Sequence, residues 1–180
     1  MTKKLSSIEI FSGAGGLAIA THRAGFRHAA LVEWNSDACN TLRFNSEAKS
    51  LPGIGNWGIH QTDVRGFDFR SHEGIDLIAG GPPCQPFSIG GKHRGMEDDR
   101  DMIPQFIRGV REAKPRAFVL ENVRGLTRKA FETYFSYTVL QLSYPEHKRK
   151  RGEGWHHHLA SLESHHTSGK KTNCLAYNVV

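Results

Sequence analysis

Short apolar runs recur along the first two thirds of the chain, and segments of helical periodicity separate them. The runs at residues 7–11, 29–32, 75–79 and 117–120 are rich in Ile, Val, Leu and Ala and have the length of buried strands. A weaker strand is expected to end near Asp63. Strands that alternate with helices predict an α/β fold with a mostly parallel sheet that is covered on both faces.

The intervening helices are expected over residues 17–24, over residues 37–44, and from Pro104 onward, since proline suits the first turn of a helix. Ser36 is a suitable N-cap for the second helix, and Ala38, Thr41 and Leu42 are expected on its inner face. Each predicted helix follows a predicted strand, as a parallel sheet requires.

The alternation ends after the fifth strand. Residues 131–142 predict a helix with Phe135 in its apolar stripe, and the basic run 147–151 follows. The segment 155–166 is polar and rich in histidine, and residues 176–180 predict a last strand. The spacing of the histidines fits no standard zinc finger, so no metal site is expected.

Composition and charge narrow the possibilities without naming a function. The 180-residue chain is 38% hydrophobic, which favours one globular domain over wholesale disorder. Its net charge of +6 and pI of about 9.4 are compatible with a polyanionic partner. Three widely spaced cysteines argue for a reducing compartment and against a disulfide scaffold. With no signal peptide and no membrane-spanning run in the sequence, we expect a cytoplasmic protein.

A glycine turn follows the first predicted strand. Residues 13–18 (GAGGLA) satisfy the pattern GxGxxG/A, and Glu33 lies 20 residues after the first glycine, where an acid can meet ribose hydroxyls. Asp63 and Glu121 also end predicted strands, and Trp34 could stack on an adenine. This layout suits a nucleotide-like cofactor, and NAD and S-adenosylmethionine fit it equally.

A cysteine follows the fourth predicted strand. In residues 80–88 (GGPPCQPFS) two glycines and two prolines place Cys84 in a stiff turn at a strand end. Glu121 ends the neighbouring strand, and a thiolate paired with a carboxylic acid suits attack on an electron-poor ring. Three basic residues of the following loop could help to ionise the thiol: His93, Arg94 and Arg100.

These segments together resemble the cytosine-5 DNA methyltransferases. The matching motifs, in order, are residues 11–16 (FSGAGG), 33–34 (EW), 63–64 (DV), 80–88 and 121–123 (ENV), within residues 7–126. The resemblance implies a Rossmann-like, S-adenosylmethionine-dependent fold, with S-adenosylmethionine as methyl donor and C5 of cytosine in double-stranded DNA as acceptor. In an NAD-dependent oxidoreductase, the segments 83–85 (PCQ) and 121–123 (ENV) would have no shared role.

The resemblance also implies a role for each matched residue. Cys84 would add to C6 of a flipped cytosine, while Glu121 would hold N3 and the exocyclic amine. Glu33 would bind ribose, Trp34 the adenine face and Asp63 the adenine amino group. The implied cofactor pocket comprises Phe11, Gly13, Gly15, Glu33, Trp34, Asp63, Val64, Gly80, Pro82 and Ile103. The implied substrate contacts and lid comprise Gln85, Ser88, Lys92, His93, Arg94, Arg100 and Asn122.

The family pattern continues with segments that this sequence lacks. Residues 1–126 are expected to form the cofactor-binding and catalytic core, and residues 127–180 a helix, an insertion and a last strand of the same domain. A Gln-x-Arg-x-Arg segment, a target-recognition region and a returning helix would follow, so the sheet is expected to be incomplete at its C-terminal end. We therefore expect one chain of a two-chain restriction-modification methyltransferase. A truncated single-chain enzyme, a non-catalytic cofactor- or DNA-binding fragment and an RNA cytosine-5 methyltransferase remain alternatives.

Overall fold

The computed structural model falls into two compact units, one of residues 1–82 with 112–121 and one of residues 83–111 with 122–180. It describes residues 4–48, 55, 57–83, 101–168 and 174–180. Across these ranges, no helix is both long and apolar enough to cross a membrane.

The first unit contains a five-stranded parallel sheet with the order β3-β2-β1-β4-β5. The α/β prediction is confirmed, and the four strong strands lie within two residues of their predicted limits; the weak strand ends at Gln61 rather than near Asp63. The strands are β1 (Ser6–Ile10), β2 (Arg27–Glu33), β3 (Ile59–Gln61), β4 (Leu77–Gly80) and β5 (Ala117–Leu120).

Two helices of the first unit connect the first three strands: α1 (Gly16–Arg23) and α2 (Ser36–Glu47). The predicted N-cap of α2 was wrong by one residue, because Asn35 caps the helix and Ser36 begins it. The Asn35 side chain accepts hydrogen bonds at 2.9 Å from the backbone amides two and three residues ahead. Leu42 is buried as predicted, but Thr41 is exposed and Cys39 is buried, so the inner face of α2 is only partly the predicted one.

The second unit holds most of α3 (Ile103–Ala113), together with α4 (Glu132–Ser143) and α5 (Trp155–Thr167). The helix predicted around Pro104 is confirmed, and Phe106 and Val110 in its apolar stripe are fully buried. The predicted polar segment 155–166 is instead helix α5. Its apolar positions Leu159 and Leu162 pack against Tyr137 of α4.

Two predictions for the C-terminal third were wrong. In α4 the side chain of Phe135 is 40% exposed, while Tyr134, Thr138 and Leu142 are buried, so Phe135 lies outside the packed face. Residues 176–180, which the structure describes, form no strand. The Tyr177 amide donates a hydrogen bond to the Ser143 carbonyl at the end of α4. A strand needs a neighbouring strand to pair its backbone groups, and a helix end cannot provide one.

Candidate active site

The carboxyl ends of β1 and β4 lie side by side at the point where the strand order reverses. Ile10 pairs with Gly80, and Gly80 pairs in turn with Leu120 of β5. In open parallel sheets this reversal leaves a crevice outside the strand ends, which is where ligands bind. The glycine turn after β1 and the Gly-Gly-Pro-Pro turn after β4 therefore flank one crevice of the first unit.

The glycine turn adopts backbone conformations that favour glycine. Gly13 and Gly15 have φ of 51° and 97°, and Phe11 takes a φ of 57° just before them. A Cβ on Gly15 would lie 2.7 Å from Leu42 of α2, so side-chain packing also excludes a larger residue there. Around Gly13 a Cβ would meet no atom within 4 Å, which leaves its backbone open to a ligand.

Glu33, at the end of β2, is bonded to this turn. One carboxylate oxygen accepts from the Gly13 amide at 2.8 Å, and the other accepts from the amides of Trp34 and Asn35 at 2.9 and 2.8 Å. The first oxygen keeps a lone pair that can accept a further hydrogen bond, for example from a hydroxyl group. Sequence reasoning identified Glu33 but missed that it also supports the glycine turn.

The other predicted nucleotide-binding residues lie after β2 and β3. Trp34 is 75% exposed, so one face of its indole is open to stacking. Asp63 caps a short 3₁₀ turn by accepting from the Arg65 amide at 2.8 Å, and it also meets the Arg65 guanidinium at 3.3 Å. This ion pair is exposed and therefore weak, so a ligand can replace it at little cost. Val64 is buried beside Asp63.

The two glycines at the end of β4 lie close to neighbouring elements. A Cβ on Gly80 would lie 2.5 Å from the Ile10 carbonyl oxygen, and one on Gly81 would lie 2.7 Å from a carboxylate oxygen of Glu121. The Glu121 amide also donates to the Gly80 carbonyl at 2.9 Å. The Glu121 carboxylate thus lies over the turn that leads, three residues later, to Cys84.

Three further predicted site residues belong to the described part of the chain: Pro82, Ile103 and Asn122. Pro82 is buried at the end of the turn, and Ile103 is buried at the start of α3, in the second unit. Asn122 accepts from the Val123 amide at 2.8 Å, which shapes the chain after β5. Seven predicted residues lie outside the described ranges: Cys84, Gln85, Ser88, Lys92, His93, Arg94 and Arg100.

Sequence reasoning missed Glu9, a buried acid just before the glycine turn. Its side chain has no exposed surface; one oxygen accepts from the Thr21 hydroxyl of α1, and the other has no hydrogen-bond partner among the described residues. Burial raises the pKa of Glu9 to about 7. Its signal in the sequence is an acid within an otherwise apolar strand, where charge is costly.

Comparison with known proteins decides the family. The sequence profile of the C-5 cytosine-specific DNA methylases matches residues 5–145. The chain belongs to this family. It is 44% identical over 140 residues to the Type II methyltransferase M.NgoMIV of Neisseria gonorrhoeae, a match that covers 78% of this chain and 42% of that protein.

Other members of the methylase family agree in sequence and structure. M.AquIA, a Type II methyltransferase of Picosynechococcus, is 40% identical over 162 residues, covering 87% of this chain and 64% of its own. A crystal structure of an E. coli prophage protein described as a DNA modification methyltransferase aligns with a TM-score of 0.56 at 31% identity, over 75% of this chain and 37% of that one. The chain therefore spans about four to six tenths of the length of the curated relatives it matches first.

Within the described residues, no group of three or more His, Cys, Asp or Glu side chains is arranged to hold a metal ion.

Proposed function

We propose that this chain carries the cofactor-binding and nucleophilic half of a DNA cytosine-5 methyltransferase. The observation that carries the proposal is the position of the Glu121 carboxylate over Gly81, three residues before Cys84. Because β4 and β5 are neighbours, an acid and a thiol that follow these strands can act on the same ring. The glycine turn and Glu33 lie at the same edge of the sheet.

The residues of the first unit fit S-adenosylmethionine. Gly13 leaves room for a backbone approach, Glu33 keeps an acceptor for a ribose hydroxyl, and Trp34 offers an open aromatic face. Asp63, exposed beside buried Val64, can accept from the adenine amino group. When bound, this cofactor supplies an electrophilic methyl group on a sulfonium. Membership of the methylase family favours it over NAD.

The chemistry assigned to the chain uses two side chains. The Cys84 thiolate adds to C6 of cytosine while Glu121 holds N3 and the exocyclic amine, so that electron density moves to C5. C5 then takes the methyl group, and loss of the C5 proton expels the thiolate and restores the aromatic ring. Gly81 keeps the space for the Glu121 carboxylate, since a side chain there would displace it.

The target cytosine must leave the DNA duplex before this reaction, because neither face of its ring is accessible while the base is stacked. We assign the segment after Cys84 to this step, with Gln85 and Ser88 near the base and Lys92, His93, Arg94 and Arg100 toward phosphates. Asn122, through its bond to the Val123 amide, holds the strand end beside it.

A Cys84→Ala variant tests the covalent step. Wild-type chain, complemented with the C-terminal region of a relative and given S-adenosylmethionine, should form a denaturant-stable adduct on a duplex that carries 5-fluorocytosine in the target site of that relative, and complemented Cys84→Ala should form none. Cys174→Ala, at an exposed cysteine, is the matched control and should behave as wild type. An adduct with Cys84→Ala would remove this residue from the mechanism, and a parallel tRNA substrate distinguishes an RNA methyltransferase.

We further propose that methyl transfer requires an arginine segment and a target-recognition region that these 180 residues do not contain and that a second polypeptide can supply. The support is the absence of a Gln-x-Arg-x-Arg pattern from the sequence, together with the greater length of the relatives. The chain alone should leave plasmid DNA unmethylated, and addition of the corresponding C-terminal region of a relative such as M.NgoMIV should restore methylation. Full sequence-specific activity of the chain alone would refute this requirement.

A further inference from the structure

A cleft of about 300 Å³ lies within the second unit. One wall is apolar and comes from the first turns of α3. The described polar residues that line it include Arg111, Tyr134, Tyr137, His147, Lys148 and Arg149.

The charge of the cleft is positive. Asp101 is the one carboxylate among the described lining residues, and both of its oxygens are engaged. One accepts from the buried Tyr134 hydroxyl, and the other accepts from the Ile103 amide at 3.0 Å. Three cations, Arg111, Lys148 and Arg149, therefore line the cleft beside a single described carboxylate, which leaves a net positive charge there.

Lys148 and Arg149 begin a run of four exposed cations, which we call the basic loop (residues 148–151). Two contacts hold the loop: the Nε2–H of buried His158 donates to the His147 carbonyl at 2.8 Å, and a Glu153 carboxylate oxygen accepts from the Lys150 amide at 2.8 Å. Because the carbonyl can only accept, Nε2 carries a proton, and Nδ1 of the same ring lies 2.6 Å from the Tyr137 hydroxyl oxygen.

The charges of the basic loop are available to a ligand. Within the described residues none of the four cations forms an ion pair with a carboxylate. Glu153 is bound to the loop through a backbone amide, and Glu146 accepts from the Leu175 amide at 3.0 Å, so both nearby acids already have partners. The backbone that carries these cations is held at His147 and Lys150, which lowers the entropic cost of binding an anion.

We propose that the basic loop and the cleft beside it bind the phosphodiester backbone of duplex DNA. A polyphosphate backbone matches a row of cations better than a single small anion does. The guanidinium groups suit phosphate oxygens in particular, since they can donate two parallel hydrogen bonds. The inference rests on the proposed function, which makes DNA the substrate of this chain.

The test compares two variants of equal charge. Variant A replaces Lys148, Arg149, Lys150 and Arg151 with Gln. Variant B replaces four exposed cations of the first unit near the amino ends of strands, Lys4, Arg23, Arg27 and Arg70, with Gln. Fluorescence anisotropy measures binding of each 180-residue chain to a 30-base-pair duplex from low to moderate salt. A thermal melt followed by circular dichroism checks that each variant folds.

Variant A should bind the duplex at least about tenfold more weakly than wild type. A plot of the log of the association constant against the log of the salt concentration has a negative slope, and this slope should become shallower by about 2, as expected for two or more lost phosphate contacts. Variant B should keep most of the wild-type slope. Equal slopes for A and wild type would overturn the inference, and so would equal losses in A and B, which would mean that only net charge matters.

The wild-type chain distinguishes this failure from failure of the proposed function. If wild type with its complementing region methylates DNA but variant A binds DNA as wild type does, the inference fails and the function stands. A second outcome is that variant A loses affinity for the duplex although the complemented wild-type chain never methylates it. In that case the contact with the DNA backbone stands and the proposed function fails. Wild-type binding that 10 mM inorganic phosphate or a nucleotide abolishes at constant ionic strength would show a small-anion site instead and overturn the inference.

Discussion

Glu9 is a buried acid at the centre of a parallel sheet, on the strand that leads into the glycine turn. Its folded-state pKa, raised by burial to about 7, lies above that of the unfolded chain. The folded state therefore binds a proton that the unfolded chain has already released between these two values. Stability attributable to Glu9 is present below the unfolded pKa and is lost as the pH rises through the folded one.

Replacement of Glu9 by Gln should remove this dependence. We expect the free energy of unfolding of Glu9→Gln, relative to wild type, to increase by about 2 to 3 kcal/mol between pH 5 and pH 8. Urea unfolding at the two pH values measures the change. Glu47→Gln, at an exposed acid that ends α2, should show no such change. A constant difference between Glu9→Gln and wild type would mean that Glu9 is ionised in the folded protein throughout.

At the scale of elements, the adjacent glycines that end β4 perform different tasks. A Cβ on Gly80 meets the backbone of β1, which cannot move without disturbing the sheet, whereas a Cβ on Gly81 meets the end of the Glu121 side chain, which can rotate. The first glycine is required for packing and the second for the position of a carboxylate.

Alanine at each position should separate stability from activity. Gly80→Ala should destabilise the fold by about 1–3 kcal/mol, as overpacking does. Gly81→Ala should have a melting temperature within a few degrees of that of wild type. Its methylation rate, measured with the complementing C-terminal region of a relative, should be at least about tenfold lower because Glu121 is displaced. Thermal melts and single-turnover methylation measure the two effects. Equal loss of stability in both variants would contradict this division.

The pairing of α4 with α5 depends on a buried histidine. His158 is 2% exposed and joins the Tyr137 hydroxyl to the His147 carbonyl. We expect His158→Phe to destabilise the second unit by about 2–4 kcal/mol, because the buried Tyr137 hydroxyl and the partly buried His147 carbonyl lose their partner. His157→Phe, at an exposed neighbour, is the control and should cost less than about 0.5 kcal/mol. Urea unfolding followed by circular dichroism compares them.

At the scale of the whole molecule, cofactor binding and methyl transfer should be separable. The glycine turn, Glu33, Trp34 and Asp63 all belong to the first unit, whereas the chain spans only part of its relatives. We expect the isolated chain to bind S-adenosylmethionine in calorimetry without transferring its methyl group. Glu33→Gln should weaken this binding at least about tenfold, because it disturbs the Gly13 contact as well as the ribose acceptor.

Asp37→Asn provides the control for this measurement, since Asp37 is an exposed acid in the first turn of α2. Its affinity for the cofactor should stay close to that of wild type. If Glu33→Gln and Asp37→Asn bind equally well, the cofactor does not use Glu33, and the glycine turn holds its shape without it.

The sequence by itself determined the alternation of strands and helices, the glycine turn and the motif residues. These features depend on periodicity and backbone preference within a few neighbouring positions, which is why β5 was predicted at its observed limits. The prediction failed where a local pattern was ambiguous. Histidines obscured the helical spacing of α5, and the apolar residues 176–180 suggested a strand that has no partner among the described residues.

Only the tertiary structure decided the strand order, the burial of Glu9, the bond between Glu33 and Gly13 and the contact of Glu121 with Gly81. Each of these joins residues on different elements, so the energy that decides it depends on packing and pairing across the sheet. Local preference carries no information about such distant partners.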